Sequence, residues 1–541
     1  MYINFSDIPG HQNLFLDYLY EFENVTDFYT YDFRNRENYL KIFKSITENR
    51  RILSPDISSL ISGQYTHLST SELTEKNIKK LSDKKTLAIV TGQQLGIMGG
   101  PLYTFYKIIT VIKLSRFLSE RYDDYNFVPV FWLEGDDHDF NEVRSIKIID
   151  EANTLLTIGY KEEIEEDDAK QSVGFKKFDD SINDFFNNLN KGLKDTEFKS
   201  PLVEQLKDFY KEGKSFKEAF KDVLFKYFDE YGLVIFDPQD YAIKRLLKPV
   251  FKKEITDFRL HTEKLVHFSA TLEELYHAQV KVKPVNLFLM VDEGRHSIEP
   301  VENEYRLRRK RKSFTQEQLL ELLENEPEKF SPNVLLRPIC QDYLLPTAFY
   351  VGGPSEISYF AQIKPLYEFY GIVPPIIYPR SSATILENVI SNILEKHSIE
   401  INELFIDVDN VKKKIINSVE ERSIDDMFDG LTNQMETAFD QLKEKLIDLD
   451  KTIADSSNKY RDKIFGSINE LKTKAEKAQQ KKYEVTLRQI DRAAVNLFPN
   501  FNLQERELNF VYFANKYGDD FIRNIFDKLQ INKFEHQVIK I

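Results

Sequence analysis

The sequence predicts an α/β fold: a mostly parallel sheet, broken by two insertions and followed by a helical coiled-coil region. Three observations point there. Short β-branched or apolar runs at 86–90, 127–135, 232–238 and 345–351 each lead into a glycine-rich or acidic turn. Apolar residues at helical spacing follow, most clearly in "LYTFYKIITVIKLSRFL" (102–118). From Leu386 the chain turns polar, with apolar seams at alternating spacings of three and four. Strand and helix alternating along a chain is the pattern of a parallel sheet with helical crossovers. The stretches around 144–230 and 251–330 interrupt it as insertions.

Composition narrows the function classes. The chain has 541 residues, of which 41% are hydrophobic and 30% charged, enough for a large core. No apolar run approaches the roughly 18 residues of a membrane span, and the first residues lack a basic region ahead of an apolar one, so a cytoplasmic protein with no membrane partner is expected. A formal net charge of −14 argues against a nucleic-acid partner. The lone basic run "RLRRKRK" (306–312) reads as a solvated face or an anion site. A single cysteine, Cys340, excludes a disulfide framework and a multi-thiolate zinc site within one chain.

The first turn is "TGQQLGIMGGP" (91–101). Its glycines allow close backbone approach, and Pro101 suits the first turn of a helix whose free N–H groups favour anions. The turn either cradles a polar ligand or only lets strand and helix pack closely. Its spacing matches neither G-x-G-x-x-G nor the P-loop. The second strand ends in "DDHDF" (136–140), three carboxylates and one imidazole where open α/β sheets bind ligands. His138 is a candidate general acid or base, its pKa expected to be raised by its neighbours, and Asp136 and Asp137 are candidates to assist it or to hold an ammonium. The alternative is an acidic turn that caps the next segment. The carboxylates alternate faces on extended chain, and no metal is assigned to them.

A second glycine turn, "VGGPSEISYF" (351–360), repeats the first pattern, with Glu356 in the opening helical turn as either a cap or a substrate contact. "YPRSSATILE" (378–387) predicts a helix whose start carries Arg380, Ser381, Ser382 and Thr384, a setting for phosphate or carboxylate. Farther on, Leu431, Met435, Ala438 and Leu442, continued by Phe439, Leu446, Leu449 and Ile453, form one seam. Ile464, Ile468, Leu471, Ala475 and Ala478 form another, and "ADSSN" (454–458) predicts the turn of an antiparallel hairpin between them. The seams serve the hairpin itself or a second subunit.

Together, "TGQQLGIMGGPLYTFYK", "FWLEGDDHDF", "LRPICQDYLLPTAFYVGGPSEISYFAQIKPLY", "YPRSSATILE" and "LQERELN" resemble the BshC family, the cysteine-adding enzymes of bacillithiol biosynthesis. The resemblance runs over essentially the whole chain. It implies a Rossmann-like core related to class I aminoacyl-tRNA synthetases, two connective insertions, and a coiled coil that pairs subunits into a homodimer. It also implies a ligase that joins cysteine to the amino group of glucosaminyl malate through an amide bond. The family pattern Glu-Asp-His-Asp is Asp136-Asp137-His138-Asp139 here, and Cys340 replaces an expected aliphatic residue, which reads as a buried structural thiol. No H-x-G-H or K-M-S-K-S signature is present, so the usual residues for adenylating an amino acid are missing; amide formation from a free carboxylate still requires ATP or a pre-activated cysteinyl donor. A non-catalytic scaffold with a degenerate synthetase-like core is the alternative.

The expected organisation is a core in three parts (1–143, 231–250 and 331–385), insertions at 144–230 and 251–330, a coiled-coil domain at 386–500, and C-terminal helices at 501–541 that dock on the core. Substrate contacts are expected from Gly92, Gln93, Gln94, Gly99, Gly100 and Tyr103 on the first turn and from Gly352, Gly353 and Glu356 on the second. A separate site for ATP or ADP is expected from Arg380, Ser381, Ser382 and Thr384 together with Arg488 and Arg506.

Overall fold

Five runs pair in parallel: β1 (Thr86–Gln94), β2 (Asn126–Glu134), β3 (Val234–Phe236), β4 (Thr347–Gly352) and β5 (Ile376–Pro379). Their order across the sheet is β5-β4-β1-β2-β3 in the computed structural model. The direction of building reverses between β1 and β4, the switch point at which Rossmann-type sheets open a crevice. β1 and β2 hold register from Thr86 opposite Asn126 to Gln94 opposite Glu134, so a glutamine and a glutamate end side by side on the carboxyl edge. The central strands are buried on both faces, which is why they read as continuous apolar runs.

The structure describes residues 1–51, 55–161, 171–308, 310–419 and 424–541. Arg309 of the basic run, 162–170 of the first insertion and 420–423 of the helical region lie outside the described residues. The chain forms two units, Met1–Ile385 with Asn502–Ile539, and Leu386–Phe501 with Lys540–Ile541.

In the first unit β1 runs to Gln94, so 91–94 belong to the strand and not, as the sequence suggested, to the turn. The turn that follows places Met98, Gly99 and Gly100 at positive φ of 52°, 75° and 73°. A Cβ on Gly96 would meet the Gly100 Cα at 2.7 Å. It leads into α1 (Tyr103–Arg121), whose start is already occupied. The Leu102 N–H donates to the Leu508 carbonyl at 2.9 Å, and Asn509 Nδ2 donates to the carbonyls of Met98 at 2.9 Å and Gly100 at 2.6 Å. The returning chain thus fills the place expected for an anion, and Gly99 packs on Phe105 and Val223. The expected substrate contacts at Gly99 and Gly100 are corrected accordingly: both shape the turn.

The first insertion carries a hairpin (Ser145–Ile149 with Leu155–Gly159) and the helices Ile182–Gly192, Lys199–Phe209 and Phe216–Phe228. Next comes α2 (Lys248–Leu275), then an antiparallel sheet that includes Leu287–Val291, Gly294–Val301 and Phe330–Pro332. α3 (Arg337–Leu344) holds Cys340 fully buried; burial pushes its thiol well above the usual range, which removes it as a nucleophile.

Where a helix was predicted after Arg380, the chain forms a strand, Ser382–Leu386, in a three-stranded sheet with Tyr2–Ile3 and His536–Lys540. Tertiary partners explain the difference. The Ala383 and Ile385 N–H groups donate to Glu505 Oε2 at 2.8 Å and Gln504 Oε1 at 2.7 Å, bonds a helix would have had to make internally. The C-terminal helix Phe510–Tyr517 docks against α1, with the Phe510 ring 4.6 Å from that of Phe105.

In the second unit α4 (Ile424–Ile447) and α5 (Lys451–Lys482) run antiparallel. Lys472 pairs with Asp425 at 2.6 Å, and the rings of Phe439 and Phe465 approach to 6.4 Å. The turn comes earlier than predicted: Asp450 caps α5 by accepting the Thr452 N–H at 2.7 Å, and 454–458 lie within the helix. Leu449, expected in the seam, is 79% exposed at this turn.

Candidate active site

The carboxyl edge of the sheet opens into a cavity of about 460 Å³. β1 supplies Gly92, Gln93 and Gln94, β2 supplies Trp132 and Glu134, and the segment after β2 supplies Asp137 and His138. Tyr350 comes from β4, and Gly353 and Glu356 from the turn and helix after it. The remaining wall includes Tyr103 and Lys107 of α1, Phe288 and Arg295 of the antiparallel sheet, Arg337 of α3, and Arg380 and Arg506. With Lys281 and Lys283 the cations number seven, against the three carboxylates of Glu134, Asp137 and Glu356.

The charges are held in place by a connected network. Lys107 is buried among the apolar residues of α1, and its Nζ reaches Glu356 at 2.5 Å, the Gly92 carbonyl at 3.0 Å and Gln93 Oε1 at 2.9 Å. Glu356 also accepts from the Tyr350 hydroxyl at 2.6 Å and the Gly353 N–H at 2.8 Å. Burial opposes the charge of Glu356, and these partners outweigh it, Lys107 most, holding its pKa below the usual range. Burial also lowers the Lys107 pKa, with Glu356 acting the other way. Glu356 is therefore both the helix cap and the partner that fixes a buried lysine.

On the opposite wall Arg295 stacks on Phe288, with its guanidinium carbon 3.8 Å from the ring centroid, and donates to Ser331 Oγ at 2.9 Å and the Pro332 carbonyl at 2.6 Å. Its Nη1 lies 3.4 Å from His138 Nδ1. Contrary to expectation, the His138 pKa is lowered, first by burial and then by Arg295, which together outweigh Asp137 and Asp139. Asp137 accepts the His138 N–H at 2.7 Å and also pairs with the Gln94 side chain. Burial works against the Asp137 charge, but these donors and Arg295 keep its pKa low.

Asp136 is corrected. It lies outside the cavity lining, 6% exposed, with its carboxylate 2.7 Å from Lys244 Nζ and 3.0 Å from Gln239 Nε2. Gly352 also lies behind the wall and accepts the Arg380 N–H at 2.9 Å. Of the residues expected to hold a nucleotide, Arg380, Ser382 and Arg506 border one small crevice, and Arg488 is the one that lies apart. The hydroxyls of Ser382 and Thr384 bond to the His536 ring at 2.7 and 2.8 Å, and Ser381 Oγ donates to the Gln530 carbonyl at 3.0 Å, so none is turned to a ligand. Arg380 pairs with buried Glu505 at 2.7 Å, and with Arg506 it lines both the wall of the cavity and the crevice that Ser382 borders. Arg488 belongs to the second unit, where it pairs with Glu484 one helical turn away.

Glu134, Lys107, Arg295 and Arg337 were not singled out from the sequence. A lysine inside an apolar helical stripe was a usable signal for Lys107; the arginines come from insertion and helix segments with no local mark.

A Rossmann-like core with a cation-rich cavity at its switch point defines a ligand-binding α/β protein built to receive anions. The chain belongs to the BshC family of bacillithiol biosynthesis. That family's N-terminal Rossmann-like domain matches residues 1–381 and its C-terminal coiled-coil domain residues 383–541. Curated relatives named "Putative cysteine ligase BshC" include those of Salinibacter ruber (33% identical, covering 98% of this chain and 96% of the relative) and Chloroherpeton thalassium (34%, 97% and 96%). That of Chlorobaculum tepidum is 33% identical over 96% of this chain and 95% of its own.

Proposed function

We propose that the protein joins cysteine to the amino group of glucosaminyl malate in the cavity at the carboxyl edge, forming an amide and so bacillithiol. The excess of cations around a space of about 460 Å³ carries this reading, because the malate moiety brings two carboxylates that need charge-assisted partners. Gln93, Gln94 and Tyr103 are among the neutral polar groups that face the sugar. Amide formation from a free carboxylate needs an activated acyl group, formed from cysteine with ATP or delivered on a donor already activated. His138 stands at the reaction centre, with Asp137 orienting it.

Two further points belong to the same reading. The protein works in the cytoplasm, and two copies pair through α4 and α5, where Met427, Leu431, Leu442, Ile453 and Leu471 are left between 39% and 57% exposed.

The test is direct. Purified protein is incubated with glucosaminyl malate, cysteine and ATP, and in parallel with a cysteinyl ester in place of cysteine and ATP. A thiol product with the mass of the two substrates less one water supports the reading, and its absence from both mixtures overturns it. His138→Ala is expected to keep the fold and lose about 100-fold in rate, the scale of a proton-transferring group.

A further inference from the structure

Glu134 is the last residue of β2, on the carboxyl edge beside Gln94, and it lines the cavity. Its Oε2 accepts from Trp132 Nε1 at 3.3 Å and stands 3.9 Å from Arg337 Nε. Its Oε1 has no hydrogen-bond partner among the described residues. The other carboxylates of the wall are engaged: Glu356 by Lys107, Tyr350 and Gly353, and Asp137 by Gln94 and two backbone N–H groups. His138 is constrained differently. A guanidinium only donates, so the 3.4 Å contact from Arg295 Nη1 makes His138 Nδ1 an acceptor. In the neutral ring the proton then sits on Nε2, and the imidazole offers the cavity a donor.

We infer that Glu134 receives the ammonium of the acceptor amine on its free oxygen and takes its proton, while His138 serves the same space as a hydrogen-bond donor. The inference rests on the function proposed above. The proton passes from nitrogen to Glu134 Oε1. The lone pair released attacks the acyl carbon of an activated cysteinyl donor, a mixed anhydride or ester. The C–N bond forms, the C–O bond breaks with its electron pair onto the leaving oxygen, which takes the His138 Nε2 proton, and the second proton lost from nitrogen returns to that imidazole.

Burial raises the Glu134 pKa to about 7. Arg337 of α3 opposes the rise, Asp136 and Asp137 after β2 add to it, and Arg295 of the antiparallel sheet opposes it. A carboxyl in this range is half ionised at neutral pH, the condition in which a proton acceptor works best.

The test is calorimetry of glucosaminyl malate binding in buffers of different ionisation enthalpy, with malate, which lacks the amine, as control. At pH 7 the wild type is expected to release part of a proton on binding the conjugate, as the cation displaces the proton held by Glu134. Glu134→Gln should release none and bind malate unchanged, whereas His138→Ala should release as the wild type does. Unchanged proton release in Glu134→Gln overturns the inference, and so does loss of malate binding in that variant, which would make Glu134 a structural group. If the wild type does not bind glucosaminyl malate at all, the proposed acceptor is wrong and the inference falls with it. That outcome is distinct from both others.

Discussion

At the scale of single residues, adjacent carboxylates have opposite fates. Asp136 and Asp137 are consecutive, and the bend after β2 sends one inward to Lys244 and the other into the cavity. The Asp136–Lys244 pair is almost fully buried, so removing one charge strands the other in a poorly solvating interior. Asp136→Asn is expected to cost about 3–5 kcal/mol in chemical denaturation, while His138→Ala, on the open wall, leaves stability within about 0.5 kcal/mol. Equal stability of Asp136→Asn and wild type would return Asp136 to the list of chemical groups. The sequence placed the acidic cluster at the right strand end, because a strand ending in polar residues is a local signal. It could not say which carboxylate faces the cavity, because that depends on a bend and on a lysine 108 positions away. Glu134 escaped notice for the same reason: its character comes from burial beside Trp132, and burial is a property of the assembled sheet.

At the scale of elements, the turn between β1 and α1 shows how a glycine pattern misleads. Four glycines suggested a ligand cradle, and two of them, Gly99 and Gly100, instead let the backbone curl at positive φ beneath Asn509. Gly96 is needed for contact alone, since a Cβ there would press on the Gly100 backbone. Gly96→Ala should therefore lower stability by about 1–3 kcal/mol, the usual cost of forcing an atom into a packed site. Gly63→Ala, where an added Cβ meets nothing within 4 Å, should change little. Thermal melts of the two variants decide, and equal melting points would refute the close-approach argument. The strands of the sheet were legible because central strands are apolar throughout. Ser382–Leu386 was not, since hydroxyl-rich sequence caps helices in isolation, and only Glu505, Gln504 and His536, from the far end of the chain, make it a strand.

For the whole molecule, the sequence separated an α/β part from a helical part, because periods of two and of three to four residues look different over long windows. The hairpin turn was misplaced, since "ADSSN" carries turn-forming residues that α5 tolerates on its surface. The pairing of subunits is open to a clean measurement. Deleting residues 424–482, with a short glycine linker in their place, should halve the mass seen by light scattering if α4 and α5 form the dimer interface. An unchanged mass would place the interface elsewhere.

The α/β unit takes its last pieces from Asn502–Ile539, after the helical unit has been made. Arg506 of the cavity wall, Leu508 and Asn509 at the start of α1, and the strand that pairs with Ser382–Leu386 all leave the ribosome late. Throughout synthesis of residues 386–501 the nascent core has an uncapped helix and two strands, Tyr2–Ile3 and Ser382–Leu386, that lack the strand between them, a state in which chains capture strands from their neighbours. Translation thus sets a waiting period during which the unfinished core is open to such capture. A premature stop before residue 502 leaves an aggregation-prone fragment in place of a shorter protein.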